Sequence, residues 1–169
     1  MIIVPLGIII FNSENEFNKE WINQSINSVE FSSPNKLKLI SSNLSKELIE
    51  YYDKLEIYSD NQNDKSIFLY SIELKEENID LQNYYEQYLD NFKAKIPNLN
   101  TIEVTEKKIS DNNISIRFNF LTNKKVLNGF CRISKERKNL NMFWLIPFYK
   151  SYSKEYIDKF DNKIVEATN

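Results

Sequence analysis

Apolar and polar residues alternate regularly in the C-terminal half of the chain. Between residues 114 and 120 every second residue is apolar, and the residues between them are polar. This period of two is typical of a strand that buries one face. This segment is one of four predicted strands that follow one another over 101–148 with short polar turns between them, which predicts a four-strand antiparallel meander. The last segment is apolar from Met142 to Phe148, so we expect a central strand covered on both faces.

Two other segments show the spacing of an amphipathic helix. The stronger pattern covers 80–96, where apolar side chains recur at i, i+3, i+4 and i+7. We expect this helix to end before Pro97, because the residue that precedes a proline avoids helical backbone angles. The second segment, 151–167, predicts an amphipathic helix at the C-terminus.

The N-terminal third predicts two further helices. Ser13 and Glu16 fit a capping box at the start of a helix over about 14–28. Segment 44–55 places leucine and tyrosine side chains on one helical face and predicts a short helix, with Ser45 as its N-cap.

Two hairpins are predicted between these helices. The first turns at Pro34, because proline presets a dihedral angle of the turn. The second covers 55–74 as strand, polar turn and strand. Glu73 in this hairpin and Arg117 in the meander are charges inside alternating strands. We expect their side chains to face a protein surface and to pair with each other or with a covering helix.

The order of these elements predicts an α+β domain over 13–169, an antiparallel sheet with helices packed on it. An N-terminal hairpin, a "Y..YL" helix that begins near Leu81, a meander, an aromatic-rich last strand and a closing helix resemble the PsbP-like superfamily. The resemblance covers about 29–166 and is to the DcrB-type bacterial members. That superfamily also includes photosystem extrinsic subunits and a Ran-binding nuclear import factor. It shares no enzymatic activity, so the resemblance implies the fold and no particular reaction.

Residues 1–12 form an apolar segment that ends abruptly at a polar stretch. The apolar run has about half the length that a spanning helix needs. It also lacks the basic start and the cleavage site of a signal peptide. We therefore interpret it as the remnant of a membrane anchor that tethers the domain to the bacterial cell envelope. A short interfacial anchor and an additional strand or arm packed on the domain are the alternatives.

Composition excludes several common chemistries. The chain of 169 residues contains no His, one Cys and two Gly. Imidazole acid–base catalysis, His-based triads, disulfides within the chain and glycine-rich phosphate loops are therefore excluded in their usual forms. We expect no catalytic residue, no metal site and no cofactor. We also expect the single thiol, Cys131, to be a buried and inert side chain.

Charge is balanced overall but unevenly distributed. Lys and Arg number 22 and Asp and Glu 24, giving a net charge of −2. This balance gives no electrostatic reason to expect a nucleic-acid partner. Segment 103–138 is basic and segment 44–90 is acidic. A basic hairpin tip at 135–138 could meet phosphate or anionic lipid, and a set of solvated turns is the alternative.

The candidate binding surface combines aromatic and basic residues. Its members are Tyr84, Tyr85, Tyr149, Lys135, Arg137 and Lys138. Three tyrosines within one helix cover a wide arc, so they cannot all be equally buried, and an exposed aromatic patch is typical of a protein-binding surface. The sequence thus predicts a non-catalytic binding or accessory module whose partner is another protein. The alternatives are a soluble cytoplasmic interaction protein, such as a chaperone or immunity protein, and a carboxylate or metal enzyme.

Overall fold

The computed structural model describes residues 20–27, 29–44, 46, 48–95, 101–121 and 125–164, with residues 89–95 and 101 described by their backbone. The strands are β1 Ile22–Ile26, β2 Val29–Ser33, β3 Lys38–Ser41, β4 Tyr52–Ser59, β5 Lys65–Leu74, β6 Thr101–Ser110, β7 Asn113–Leu121, β8 Val126–Glu136 and β9 Asn139–Pro147. The helices are α1 Leu81–Lys95 and α2 Lys154–Asp161, and Leu48–Glu50 forms one 3₁₀ turn. The predicted helices at 80–96 and near the C-terminus are present.

Seven of the strands form one antiparallel sheet in the order β3-β4-β5-β9-β8-β7-β6. Within it, β6, β7 and β8 each pair with the next strand along the chain. Strand β9 lies at the centre, between β5 and β8, and Met142, Phe143 and Trp144 are all buried there. The predicted α+β class with a large antiparallel sheet is confirmed.

Both faces of the sheet are covered. Helix α1 covers one face, which we call the α1 face, where Leu81 and Tyr85 of the helix join the cluster around Trp144. Helix α2 and the separate β1–β2 hairpin cover the opposite α2 face, where Phe31 of the hairpin and Phe160 of the helix both contact Phe143. The alternating residues of β7 share the buried α1 face, as predicted. They are Ile114, Ile116, Phe118 and Phe120.

Gly129 of β8 leaves room for the aromatic ring of Phe118 to lie directly over the strand. A Cβ atom at this position would lie 2.4 Å from the ring of Phe118 and 2.8 Å from the carbonyl oxygen of Leu145. Both distances are far below van der Waals contact. Glycine is therefore required for the packing of Phe118 in the α1-face core.

Two arginines fasten α2 to the sheet. On β7, Arg117 Nε lies 2.9 Å from Glu106 of β6, and its guanidinium also contacts Asp158 of α2. On β8, Arg132 pairs with Asp161 at the end of the helix. The prediction that Arg117 pairs with a covering helix is confirmed. Glu73 is exposed and lies opposite Lys54 across the β4–β5 pair, away from Arg117.

The helix predicted over 14–28 is wrong where the structure describes it, because residues 22–26 form strand β1. Isoleucine, asparagine and serine have low helix propensity, and Asn27 adopts a left-handed φ of 47° that turns the chain into β2. Two of the apolar residues that suggested a helix still pack on the α2-face core: Ile26, and Trp21, whose ring centroid lies 5.1 Å from that of Tyr156. Ile22 is instead 46% exposed. Residues 14–19 lie outside the described residues.

The short helix predicted over 44–55 is also wrong. The structure has one 3₁₀ turn at 48–50, after which the chain enters β4 and pairs with β5. Ladder hydrogen bonds and the β propensity of tyrosine outweigh the helical spacing here. The predicted cap Ser45 lies outside the described residues.

The hairpin predicted around Pro34 is wrong in its pairing. Both strands exist, but β2 pairs with β1 in the separate hairpin, and β3 pairs with β4 in the large sheet. Segment 1–12 and Pro97 lie outside the described residues, so the membrane tether stays a prediction. No helix in the described part of the chain is long and apolar enough to cross a membrane.

Candidate functional site

A groove of about 770 Å³ opens where the start of β4 meets the start of α1. Two pieces of chain that are distant in sequence form its walls: the turn at 48–50 with the residues that follow it, and the stretch that runs from loop 75–80 into the first turns of α1. We call it the tyrosine groove, because Tyr51, Tyr52 and Tyr84 line it.

Asp80 fixes the start of α1 within the groove. Its Oδ1 atom accepts hydrogen bonds from the backbone N–H groups of Gln82 at 2.9 Å and Asn83 at 3.3 Å. Its Oδ2 atom accepts a bond from Asn83 Nδ2 at 2.9 Å. A carboxylate in this position satisfies N–H groups that have no partner within the helix and complements the helix dipole. The cap therefore determines where Asn83 and Tyr84 enter the groove wall.

Tyr52 and Tyr84 join the two walls. Their hydroxyl oxygens lie 2.8 Å apart, and either can be the donor. The Tyr84 ring also stacks on Tyr88, with 6.4 Å between ring centroids. Burial, followed by the proximity of Tyr52, raises the pKa of Tyr84 well above its usual value. Tyr84 therefore stays protonated at neutral pH and acts as a hydrogen-bonding group rather than as a base.

Tyr51 presents an aromatic ring to solvent from a fixed backbone. Its side chain is 64% exposed. Its N–H group donates to the carbonyl oxygen of Leu48, and its own carbonyl accepts from the N–H group of Lys75, both at 3.1 Å. With its backbone held at both groups, this residue has little backbone entropy to lose on binding, and exposed tyrosines are typical contact residues in protein interfaces.

The charges of the groove are mainly negative. Glu50, Glu76 and Asp80 contribute three carboxylates, and Lys75 contributes one ammonium group. All four residues are exposed. The groove therefore favours a positively charged ligand, and this preference weakens as salt rises.

The tyrosines of the predicted surface lie in three different places. Tyr84 lines the groove. Tyr85 is 3% exposed in the core, with Lys107 Nζ 4.7 Å from its ring centroid, and so offers a partner almost no surface. Tyr149 is 68% exposed, but it follows β9 at the opposite end of the sheet, where its N–H group donates to the carbonyl oxygen of Asp64 at 2.7 Å.

The basic residues of the predicted surface lie together at the β8–β9 turn. They are Lys135, Arg137 and Lys138. Arg137 adopts a positive φ of 52°. The carbonyl oxygen of Lys138 accepts a hydrogen bond from the N–H group of Leu74 at 2.8 Å, which places the turn beside loop 75–80. A basic turn therefore lies next to the acidic groove.

Cys131 lies on the α1 face and is fully buried. Burial raises the pKa of its thiol, so the thiolate is suppressed. Among the residues that the structure describes, no group of three or more Cys, Asp or Glu side chains is placed to hold a metal ion.

Sequence reasoning missed Tyr51 and Tyr52 as site residues, because both fell in the segment assigned to a helix. Their neighbours Glu50 and Asp53 carry the signal that was available, a pair of tyrosines between carboxylates inside the acidic segment 44–90. Asp80 carried another signal, since an aspartate directly before a helical pattern predicts an N-cap.

Comparisons with known proteins identify the fold. The chain is similar to the structure of the Ran-binding protein Mog1p of Saccharomyces cerevisiae, with 10% identity, a TM-score of 0.51 and coverage of 87% of this chain and 95% of that one. A mutant of protein Mog1 has the same TM-score, with 8% identity and coverage of 88% and 95%. No protein-family model and no curated protein matches the sequence. At this identity the likeness shows a shared fold alone.

Proposed function

We propose that this chain is a non-catalytic protein-binding module of the PsbP-like superfamily that holds a segment of a partner protein in the tyrosine groove. The observation that carries the proposal is the pairing of Tyr52 with Tyr84 in the wall of an open groove, beside the exposed ring of Tyr51. Tyrosine is enriched in protein interfaces, since its ring buries apolar area and its hydroxyl stays hydrogen-bonded.

The charges of the groove favour a basic segment as the occupant. Lys or Arg side chains would meet the carboxylates of Glu50 and Glu76 and could lie over the face of Tyr51. An Arg side chain suits such a site best, because its planar group stacks on a ring while it donates to a carboxylate.

The protonation of the buried groups supports binding over catalysis. Tyr84 and Cys131 are two groups in and near the α1-face core that would have to ionise to act as a base or a nucleophile. Burial raises the pKa of both and holds them neutral. Mog1p, which has a similar fold, is described as a Ran-binding protein, so a chain of this fold can bind another protein.

Selection of peptides from a random displayed library, with the folded protein as bait, tests the proposal. We expect the selected peptides to be enriched in Lys and Arg. They should lose binding to the Tyr51→Ala and Glu76→Lys variants, and their binding should weaken as salt rises. Tyr149→Ala is the matched control, because it removes an equally exposed tyrosine at the other end of the sheet. Peptides that are acidic, or that bind all three variants equally well, would contradict the proposal.

A further inference from the structure

Strand β6 has an open edge in the described part of the chain. It is the last strand in the order of the sheet and pairs with β7 alone among the described strands. Residues 103–110 are all exposed, and the apolar side chains of Val104 and Ile109 are 39% and 53% exposed. A strand of ten residues with such an edge presents a row of backbone groups that can pair with another strand.

The pairing with β7 fixes the face on which each side chain of β6 lies. The side chains on the α1 face are those of Ile102, Val104, Lys107 and Ile109. Those on the α2 face are Glu103, Glu106 and Lys108. A bulge between Val104 and Glu106 accommodates one additional residue, Thr105, and keeps the two sets on their own faces.

This arrangement is self-complementary in an antiparallel pair. When two copies of β6 pair about a two-fold axis between Thr105 and Glu106, Glu103 of each copy lies opposite Lys108 of the other, on the α2 face. On the α1 face, Ile102 lies opposite Ile109 of the second copy. Opposite residues occupy the same face, as one continuous sheet requires.

Charges on an edge strand ordinarily oppose pairing, because like charges meet. On β6, however, the antiparallel register places Glu103 of one copy opposite Lys108 of the other, so that opposite charges meet and favour pairing. Within one copy, Lys108 Nζ lies 3.1 Å from Glu106, and Glu103 accepts a hydrogen bond from Asn119 at 3.3 Å. These contacts are exposed and therefore weak, so they do not prevent rearrangement.

The other edge strand of the sheet is less suited to self-pairing. Strand β3 has four residues, and its register shifts between Leu39 and Ser41. We infer that β6 is a homodimer interface, at which two copies of this chain join their sheets into one through the Glu103–Lys108 and Ile102–Ile109 pairs.

Charge reversal tests the interface by sedimentation equilibrium of the full chain. Glu103→Lys and Lys108→Glu each replace two attractive pairs by two repulsive ones, so each should weaken dimerisation about tenfold or more. The double variant Glu103→Lys with Lys108→Glu restores opposite charges in the same register and should dimerise like the original chain. Glu30→Lys is the matched control, because Glu30 is exposed on β2, outside the large sheet.

A second measurement locates the axis. Thr105→Cys places two thiols beside the two-fold axis, so a short bis-maleimide should link two copies, whereas Lys38→Cys on β3 should not link. Cys131 is buried and does not compete for the reagent. A chain that stays monomeric up to the concentration of an NMR sample would overturn the inference. A dimer that is insensitive to both single reversals, or that the double variant fails to restore, would also overturn it.

Discussion

Arg132 on β8 and Asp161 at the end of α2 are joined by an ion pair of 2.7 Å between Nη1 and Oδ1. The same Nη1 atom also donates to the backbone carbonyl oxygen of Asp161 at 3.3 Å. Side-chain exposures of 17% and 20% show that the pair is largely removed from water. It therefore holds the end of α2 against β8, unlike an ion pair that is exposed to solvent.

Removing Asp161 should loosen α2. Asp161→Ala leaves the guanidinium of Arg132 largely buried without its carboxylate and also removes the acceptor of Ser115 Oγ. We expect a loss of about 2 kcal/mol in the free energy of unfolding by urea, as for a charged hydrogen-bonded pair away from water. Asp53→Ala, at an exposed residue of β4, is the control and should change stability by less than about 0.5 kcal/mol. Equal changes in the free energy of unfolding for the two substitutions would show that the Arg132–Asp161 pair does not stabilise the fold.

Gly129→Ala should destabilise the α1-face core. The added methyl group overlaps the Phe118 ring and the carbonyl oxygen of Leu145, and neither a buried ring nor backbone can easily move away. We expect a loss of about 1–3 kcal/mol in thermal or urea unfolding. Phe118→Leu in the same chain should make the two changes less than additive, because the smaller side chain frees the space. If the two changes in unfolding free energy are strictly additive, the Phe118 ring does not pack directly against Gly129.

The hydroxyl pair of Tyr52 and Tyr84 should contribute measurably to stability. A double-mutant cycle with Tyr52→Phe and Tyr84→Phe isolates their hydrogen bond, because phenylalanine retains the rings. We expect a coupling free energy of about 0.5–1.5 kcal/mol from urea unfolding. Zero coupling would mean that the hydroxyls of the groove bind water separately.

Alkaline pH should weaken the fold partly through Tyr84. Its pKa is raised in the folded chain, so the unfolded chain loses this proton first, near the ordinary value of 10.0. The stability that the neutral hydroxyl confers is therefore present below about pH 10 and falls as pH rises above it. Tyr84→Phe should reduce the fall in unfolding free energy between about pH 10 and 11, and a fall of unchanged size in this variant would contradict the prediction.

Cys131 should react with a thiol reagent at the rate of unfolding. Its side chain is fully buried and its pKa is raised by burial, so both access and thiolate are lacking in the native state. Labelling by Ellman's reagent in buffer should be slow and should accelerate in parallel with urea unfolding. Rapid labelling of the folded chain would place the thiol near the surface instead.

The sequence predicted best where local pattern and tertiary structure agree. The alternation of β7 and the apolar stripe of α1 both persist, because each element buries one face against the same core. Residues 22–26 were predicted to be helical, because Trp21 and Ile26 can face a core from a helix or from a strand. The packing of the β1–β2 hairpin on the α2 face determines that this stretch is a strand. The tyrosine groove could not be predicted, because Tyr52 and Tyr84 meet through the pairing of β4 with β5 and the docking of α1, which no local pattern encodes.

The position of β9 at the centre of the sheet has a consequence for how the protein is made. A ribosome releases β3, β4 and β5 first and β6, β7 and β8 later, yet among the described strands these two groups pair with each other only through β9. Until residues 139–147 emerge, β5 and β8 both lack the strand that they pair with in the finished sheet, so an inner edge of each stays unpaired. Closing the contact between β5 and β9 spans more than sixty residues, a separation that slows folding and exposes those edges to aggregation. Nascent chains halted before β9 should therefore depend on chaperones in a way that the completed chain does not.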